Sequence, residues 1–96
     1  MTVLLRPAAV MDLRDARSYY EGARRALGDE LVEDLDRLFA RLEVFSMSAP
    51  IVAGFDPVRR ATLRRFPFAV FYQPQGDDLE ILRVLHTARD PEARRG

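Results

Sequence analysis

The chain has 96 residues, nearly half of them apolar, which predicts one folded domain over residues 1–96 and argues against a disordered chain. It has no cysteine, so a disulfide framework and a thiolate zinc site are excluded. Its formal net charge is zero, which gives no general attraction to nucleic acid, although all fifteen basic residues are arginine.

Membrane and export segments are not indicated. No apolar run approaches the roughly 20 residues that a membrane-spanning helix needs. The apolar run at the N-terminus is too short for a signal peptide. We therefore expect a cytoplasmic protein with no membrane partner.

The first half of the chain predicts a strand and then two helices. Thr2–Leu5 is a short apolar run typical of a strand, and Pro7 suits the first turn of a helix. Gly28 is predicted to end the first helix as a C-terminal cap, and Asp29 to begin the second as an N-cap. One apolar face of the first helix follows from residues that recur at spacings of three and four: Leu13, Ala16, Tyr20, Ala23 and Leu27.

The second helix carries a leucine stripe, and two such helices predict an antiparallel hairpin. The stripe either packs into the core of the chain or forms a seam with a second copy or a partner. Its members are Leu31, Leu35, Leu38, Leu42 and Phe45, with Val32 and Phe39 at its margins. Charged residues are predicted to occupy the other side: Asp34, Asp36, Arg37, Arg41 and Glu43.

The second half predicts a small sheet. Ile51–Val58 contains proline and glycine and is predicted to be a loop. Arg59–Arg65 is predicted to add a strand to a β-hairpin formed by Phe66–Tyr72 and Leu79–His86, whose turn is Gln73–Asp78. The predicted order is β-α-α-β-β-β, an α+β fold in which a helical hairpin packs on a twisted, largely antiparallel sheet.

Both hairpin strands are apolar on both faces. Alternation places Phe66, Phe68, Val70 and Tyr72 on one face of the first strand, and Ala69 and Phe71 on the other. In the second strand it places Ile81, Arg83 and Leu85 on one face, and Leu82, Val84 and His86 on the other. A sheet buried on one side only would alternate apolar and polar residues. We therefore expect a cover on each face of the sheet, one of which is the helical hairpin, while the identity of the second is open at this point.

Candidates for chemistry are few. The single histidine and the scattered acids lack the spacing of metal ligands, and the chain has no glycine-rich phosphate loop and no sequence context for a serine nucleophile. No metal site and no cofactor are expected. The remaining candidates are basic: Arg59, Arg60, Arg64, Arg65, Arg83, His86 and Arg89.

Two of these candidates allow alternative interpretations. Arg83 lies within a strand between apolar neighbours, where a permanent charge is costly, so it either pairs with an acid or faces an opening. His86 is the one side chain whose ordinary pKa lies near neutrality. At the end of a strand it is either structural or part of a site with Arg83 and Arg89.

Three segments together resemble the ParE/RelE superfamily of type II toxins. LRRFPFAVFY at 63–72 and ILRVLHTARDP at 81–91 are similar to the end of those proteins, and DLRDARSYYE at 12–21 is similar to their first half. The resemblance covers nearly the whole chain. It implies a compact toxin, with a helical hairpin on a sheet, that is neutralised by the C-terminal segment of a cognate antitoxin.

The antitoxin would supply the second cover of the sheet, because a sheet that is apolar on both faces suits an extended or helical partner segment. The resemblance also implies that the antitoxin, rather than the toxin, binds operator DNA, so no direct sequence-specific DNA binding is expected of this chain. The candidate antitoxin-binding residues are the apolar positions of the hairpin: Phe66, Phe68, Val70, Tyr72, Leu82 and Val84.

The superfamily has two modes of action, and the sequence favours the ParE-like one. RelE-like members cut messenger RNA on the ribosome, and that mode would use Arg64 or Arg65, Arg83 and His86. ParE-like members poison DNA gyrase and need no nuclease site. The FPF and VLHTARDP segments resemble ParE more closely, and a net charge of zero suits ribosomal RNA poorly.

Two alternatives stay open beside the gyrase inhibitor. One is a ribosome-dependent ribonuclease. The other is an inactive homologue that acts only as a regulatory partner of the antitoxin. For a gyrase inhibitor, the candidate target-binding residues are the seven basic side chains named above.

Overall fold

The computed structural model describes residues 2–90, so Pro91, the last residue of the segment 81–91 that resembles the toxin family, lies outside the described residues. The elements are β1 (Thr2–Leu5), α1 (Pro7–Ala23), α2 (Arg25–Val44), β2 (Arg59–Thr62), β3 (Phe68–Gln75) and β4 (Asp78–His86), with a short 3₁₀ helix at Thr87–Arg89. This confirms the predicted α+β order. None of the helices in residues 2–90 is long and apolar enough to cross a membrane.

The four strands form one mixed sheet in the order β1-β4-β3-β2. β1 pairs in parallel with β4, while β2–β3 and β3–β4 are antiparallel. The parallel pair needs a long crossover, and the helical hairpin between β1 and β2 provides the turn back to the sheet. β4 therefore has a strand neighbour on the β1 side only as far as Ile81.

The helical hairpin buries its apolar faces against one side of the sheet. Leu31, Leu35, Leu38 and Leu42 are all at least 95% buried and belong to one core with Val70, Tyr72, Leu79 and Ile81. The leucine stripe is thus core, the first of the two alternatives. Phe45, which was predicted to belong to the stripe, is not part of the core. It lies just after α2 and is 61% exposed.

The connection between the helices differs from the prediction. α1 ends and α2 begins around Arg24, whose φ of −158° and ψ of 129° are extended, so the turn needs no glycine. Gly28 lies buried inside α2 instead, facing α1. A Cβ there would lie 2.5 Å from Cγ of Glu21. Gly28 therefore marks a close contact with the Glu21 side chain rather than a helix end, and Asp29 is not an N-cap.

The hairpin turn is tighter than predicted. β3 and β4 continue to Gln75 and Asp78, which pair with each other, so only Gly76 and Asp77 form the turn. Gly76 has φ of 60°, in the left-handed region that glycine adopts without the steric cost of a Cβ. Pro74 lies in the strand, where it faces the same side as its partner Leu79.

A β-bulge in β4 corrects the predicted faces. Phe71 pairs with Arg83 but Tyr72 pairs with Ile81, so Leu82 is the extra residue. Ile81 and Val84, predicted on opposite faces, therefore both point toward the helices, and both are buried. Alternation alone could not show this, because one inserted residue exchanges the faces of all residues beyond it.

The opposite face of the sheet is less apolar than predicted. By register it carries Ala69, Phe71 and Leu85 together with polar residues of neighbouring strands, such as Glu80 and Arg60. Arg60 forms an ion pair with the fully buried Asp90, which follows the 3₁₀ helix. Asp90, just after the 3₁₀ helix, thus contributes to the cover on this face.

Candidate functional site

A groove lies between α1 and the end of β4 that β1 does not reach. Its volume is 540 Å³, within the range of about 300–1,000 Å³ that small-molecule pockets span. It forms because β1 stops pairing at Ile81, which leaves the rest of β4 beside α1 instead of a strand. Its polar lining mixes both charges: Asp12, Asp15, Tyr19, Arg83, His86 and Arg89.

Asp12 organises this groove. Its carboxylate accepts hydrogen bonds from Nε and Nη2 of Arg83 at 2.7 and 2.9 Å, and from the backbone N–H of Val84 at 2.9 Å. The last bond satisfies a donor of β4 that has no strand beside it. The hydrogen bond to Asp12 raises the pKa of Arg83 above its ordinary value, although desolvation opposes the shift. Arg83 is therefore paired with an acid, as one alternative predicted.

His86 has a structural role in this arrangement. Its Nδ1 accepts a hydrogen bond from the backbone N–H of Ala88 at 3.1 Å, which starts the 3₁₀ helix. Its ring packs edge-on against Phe68, with centroids 5.3 Å apart. Tyr20 lines the same groove, and burial raises the pKa of its hydroxyl above its ordinary value.

The arginines that precede β3 lie elsewhere. Arg65 forms an ion pair with Glu30 of α2 at 3.6 Å, and the Arg65 and Phe66 backbone N–H groups donate to the buried Asp34. Arg64 lines a separate cleft against α2. The structure thus brings Arg83 and His86 together in the α1–β4 groove and keeps Arg64 and Arg65 out of it.

The other basic candidates are mostly engaged within the chain. Nη1 of Arg59 donates to the carbonyl oxygens of Met47 and Ala49 at 3.0 and 2.6 Å, which fixes the chain after α2. Arg60 pairs with Asp90. Within residues 2–90, the Arg64 and Arg89 side chains make no hydrogen bond or ion pair, and both residues are exposed.

The candidate antitoxin-binding residues are mostly not on the surface. Phe66, Phe68, Val70, Tyr72 and Val84 are each at least 92% buried, because their shared face packs against the chain's own helices. Leu82 is the bulge residue and is half-buried. These side chains form the core under the first cover, so a partner that approaches the folded chain must use other residues.

The sequence did not indicate the structural roles of two carboxylates, those of Asp34 and Asp12. Asp34 was predicted on the charged side of α2 but is 98% buried. It lies three residues after Leu31 and four before Leu38, so helical spacing placed it on the apolar face. Nothing in the local sequence indicates that Asp12 has a partner 71 residues away. Among residues 2–90 no group of acids and His86 could hold a metal ion.

Comparison with known proteins assigns this geometry to a family. The family model described as the ParE toxin of the type II toxin–antitoxin system parDE matches residues 3–91. Among solved structures, a chain of the chromosomal ParDE system from P. aeruginosa superposes with a TM-score of 0.75 at 24% identity, covering 90% of this chain and 95% of that one. That likeness shows the shared fold. No curated protein matches the chain.

Proposed function

The chain belongs to the ParE toxin family of type II toxin–antitoxin systems, and from this premise we propose that it inhibits DNA gyrase and is neutralised by a cognate antitoxin in the cytoplasm. A toxin of this kind acts by binding its target, so it needs a surface rather than a set of proton-transfer groups.

One observation favours DNA gyrase over messenger RNA as the target of this toxin. The four residues that a nuclease would use lie in two places: Arg83 and His86 in the α1–β4 groove, and Arg64 and Arg65 against α2. Cleavage through a 2′-hydroxyl needs a base, an acid and a cation around one phosphate. Because arginine stays protonated, His86 is the one proton carrier among the four, and its Nδ1 already accepts a backbone hydrogen bond.

The arginines that are not bonded to other groups of the chain are the ones available to bind the target. Arg59, Arg60, Arg65 and Arg83 each hold a group of the chain itself. Arg89 and Arg64 are exposed without such a side-chain partner in residues 2–90. We place the first contacts with gyrase at these two arginines. Replacing either should weaken toxicity without unfolding the chain.

For the antitoxin we propose the α1–β4 groove. β4 beyond Ile81 has no strand beside it, and a partner segment can lie along the groove between this part of β4 and α1. Tyr19 stands at the groove with 69% of its side chain exposed. Tyr19→Glu should abolish rescue by the antitoxin and leave the toxicity intact, whereas Phe55→Glu, at an equally exposed aromatic outside the groove, should leave rescue unchanged. Rescue of the Tyr19→Glu toxin would exclude this groove.

The cellular test separates the two modes of action. After induction, a gyrase inhibitor should trigger the DNA-damage response while bulk messages keep their half-life. His86→Ala should stay toxic, whereas a nuclease built on one histidine should lose roughly 10²–10⁴ in rate. Primer-extension mapping is the control: ribosome-dependent cuts that vanish in His86→Ala would establish the ribonuclease instead. An absence of any toxicity would favour the regulatory homologue.

A further inference from the structure

Three arginines line a small cleft that shares no residue with the α1–β4 groove. The cleft, here called the arginine cleft, has a volume of 160 Å³ and is lined by Arg37, Arg41, Arg64 and Thr62 above the buried Asp34. Arg37 and Arg41 are one helical turn apart on α2, a spacing at which like charges destabilise a helix. Arg64 adds a third positive charge from the sheet side.

These positive charges are not neutralised by the chain. Within residues 2–90 the Arg41 and Arg64 side chains form no ion pair or hydrogen bond. Arg37 lies 3.9 Å from Oδ1 of Asp34, at the outer limit of an ion pair, while Oδ2 of Asp34 accepts two backbone N–H groups. The cleft thus has three guanidinium groups and one carboxylate, and that carboxylate already accepts two backbone hydrogen bonds.

The charge of the lining selects the kind of anion. A terminal phosphate carries about −1.5 to −2 at neutral pH, which matches the excess, whereas a carboxylate carries half as much. Arginine also binds phosphate through paired N–H donors, and the Thr62 hydroxyl adds another. The nearby C-terminus of α2 contributes roughly half a negative charge, which lowers the excess without cancelling it.

A second cleft adjoins the first and shares Arg41 and Thr62 with it. This cleft of 370 Å³ is lined by Phe45, Ala49 and Pro50, with Arg60 at its margin. Its volume is within the range of small-molecule sites, whereas the arginine cleft is too small for more than one charged group. The Phe45 ring is 61% exposed here, an apolar side chain that the core left out.

We propose that the two clefts together bind a nucleotide, with its terminal phosphate in the arginine cleft and its base against Phe45. Aromatic rings stack on any base, so the site discriminates by the phosphate rather than by the sequence. The nucleotide is either a free nucleoside monophosphate or the phosphorylated end of a single strand. The site shares Arg64 with the proposed gyrase contacts, whereas Arg37, Arg41 and Phe45 lie outside them.

Calorimetric titration of the purified full chain tests the site. Thymidine 5′-monophosphate should bind, and thymidine, which lacks the phosphate, should bind at least roughly tenfold more weakly, the loss expected for a charge-assisted contact. Titrating oligothymidine with and without a 5′-phosphate identifies where the bound phosphate comes from. Tighter binding of the phosphorylated strand than of thymidine monophosphate indicates a strand end. Tighter binding of the monophosphate indicates the free nucleotide.

Matched variants locate the binding. Arg41→Gln and Phe45→Ala should each lower the affinity for thymidine monophosphate by about tenfold. Arg14→Gln and Phe55→Ala replace exposed residues outside both clefts and should leave it unchanged. Circular dichroism confirms that each variant is folded. Should a variant unfold, the affinities of the wild-type chain for thymidine and for its monophosphate still show whether the phosphate is bound.

Three results would overturn the proposal: equal affinity for thymidine and its monophosphate, equal losses in the control variants, or binding of a glutamate peptide as tight as that of the monophosphate. The last would assign the arginine cleft to an acidic protein segment.

Discussion

At the scale of single residues, the buried carboxylate of Asp34 ties α2 to the sheet. It accepts the backbone N–H groups of Arg65 and Phe66 at 2.9 and 3.2 Å, where the chain enters the hairpin. Asp34→Ala removes the acceptor and leaves these donors without a partner. An unsatisfied buried donor costs about 1–3 kcal/mol, so we expect a loss of that size or somewhat more in the free energy of unfolding. Chemical denaturation measures it.

Asp36→Ala is the control for this prediction. Asp36 lies on the same helix, is exposed and makes no hydrogen bond or ion pair in residues 2–90. Its replacement should change the stability by no more than about 0.5 kcal/mol, as surface substitutions do. Equal effects at both positions would show that Asp34 acts through helix propensity and not as an acceptor.

At the scale of elements, the leucine stripe of α2 fixes the hairpin on the sheet. Leu38 is 95% buried in the core, so Leu38→Ala should lower the free energy of unfolding by about 2–5 kcal/mol. The oligomeric state should not change. Intact thermal stability together with loss of an oligomer would show that the stripe is an interface.

Two glycines in different elements should respond in opposite ways to alanine. Gly76 forms the hairpin turn at φ of 60°, where an L side chain costs about 1–2 kcal/mol, so Gly76→Ala should destabilise. Gly22 lies in α1 with open space around a built Cβ, so Gly22→Ala should stabilise by about 0.5–1 kcal/mol. Melting temperatures of the two variants give the signs, and the same sign for both would contradict this account of the turn.

The elements also show how far the sequence determines the structure. The sequence predicted β1 from a short apolar run and the leucine stripe from its helical spacing, because both signals are local. It misplaced the helix break, because Arg24 turns the chain with extended dihedral angles that any residue adopts. It misassigned the faces of β4, because the bulge at Leu82 depends on pairing with β3 and leaves no mark in the alternation.

The site was less predictable than the fold for the same reason. The roles of the basic candidates remain predictions, and the partners of two of them are distant in sequence: Arg60 pairs with Asp90, and Arg83 with Asp12. Which arginines are engaged is a property of tertiary packing. The apolar hairpin residues proposed for the antitoxin proved buried, because the helical hairpin covers the very face that they share.

At the scale of the whole molecule, the described residues share one core. The potential nuclease groups lie at separate places: Arg83 and His86 line the α1–β4 groove, and Arg64 lines the arginine cleft. A toxin that instead holds a target in an unproductive state needs no convergence of such groups. The family, the separation of Arg64 from Arg83 and His86, and the hydrogen-bonded histidine fit that mode of action.

The most direct measurement uses purified components: gyrase, supercoiled plasmid, ATP and the full-length toxin, with and without the antitoxin. The account predicts that the toxin makes gyrase accumulate cleaved, protein-linked DNA, that the antitoxin prevents it, and that His86→Ala acts like the wild type. Unchanged gyrase activity, together with cleavage of ribosome-bound message by the same toxin preparation, would contradict it.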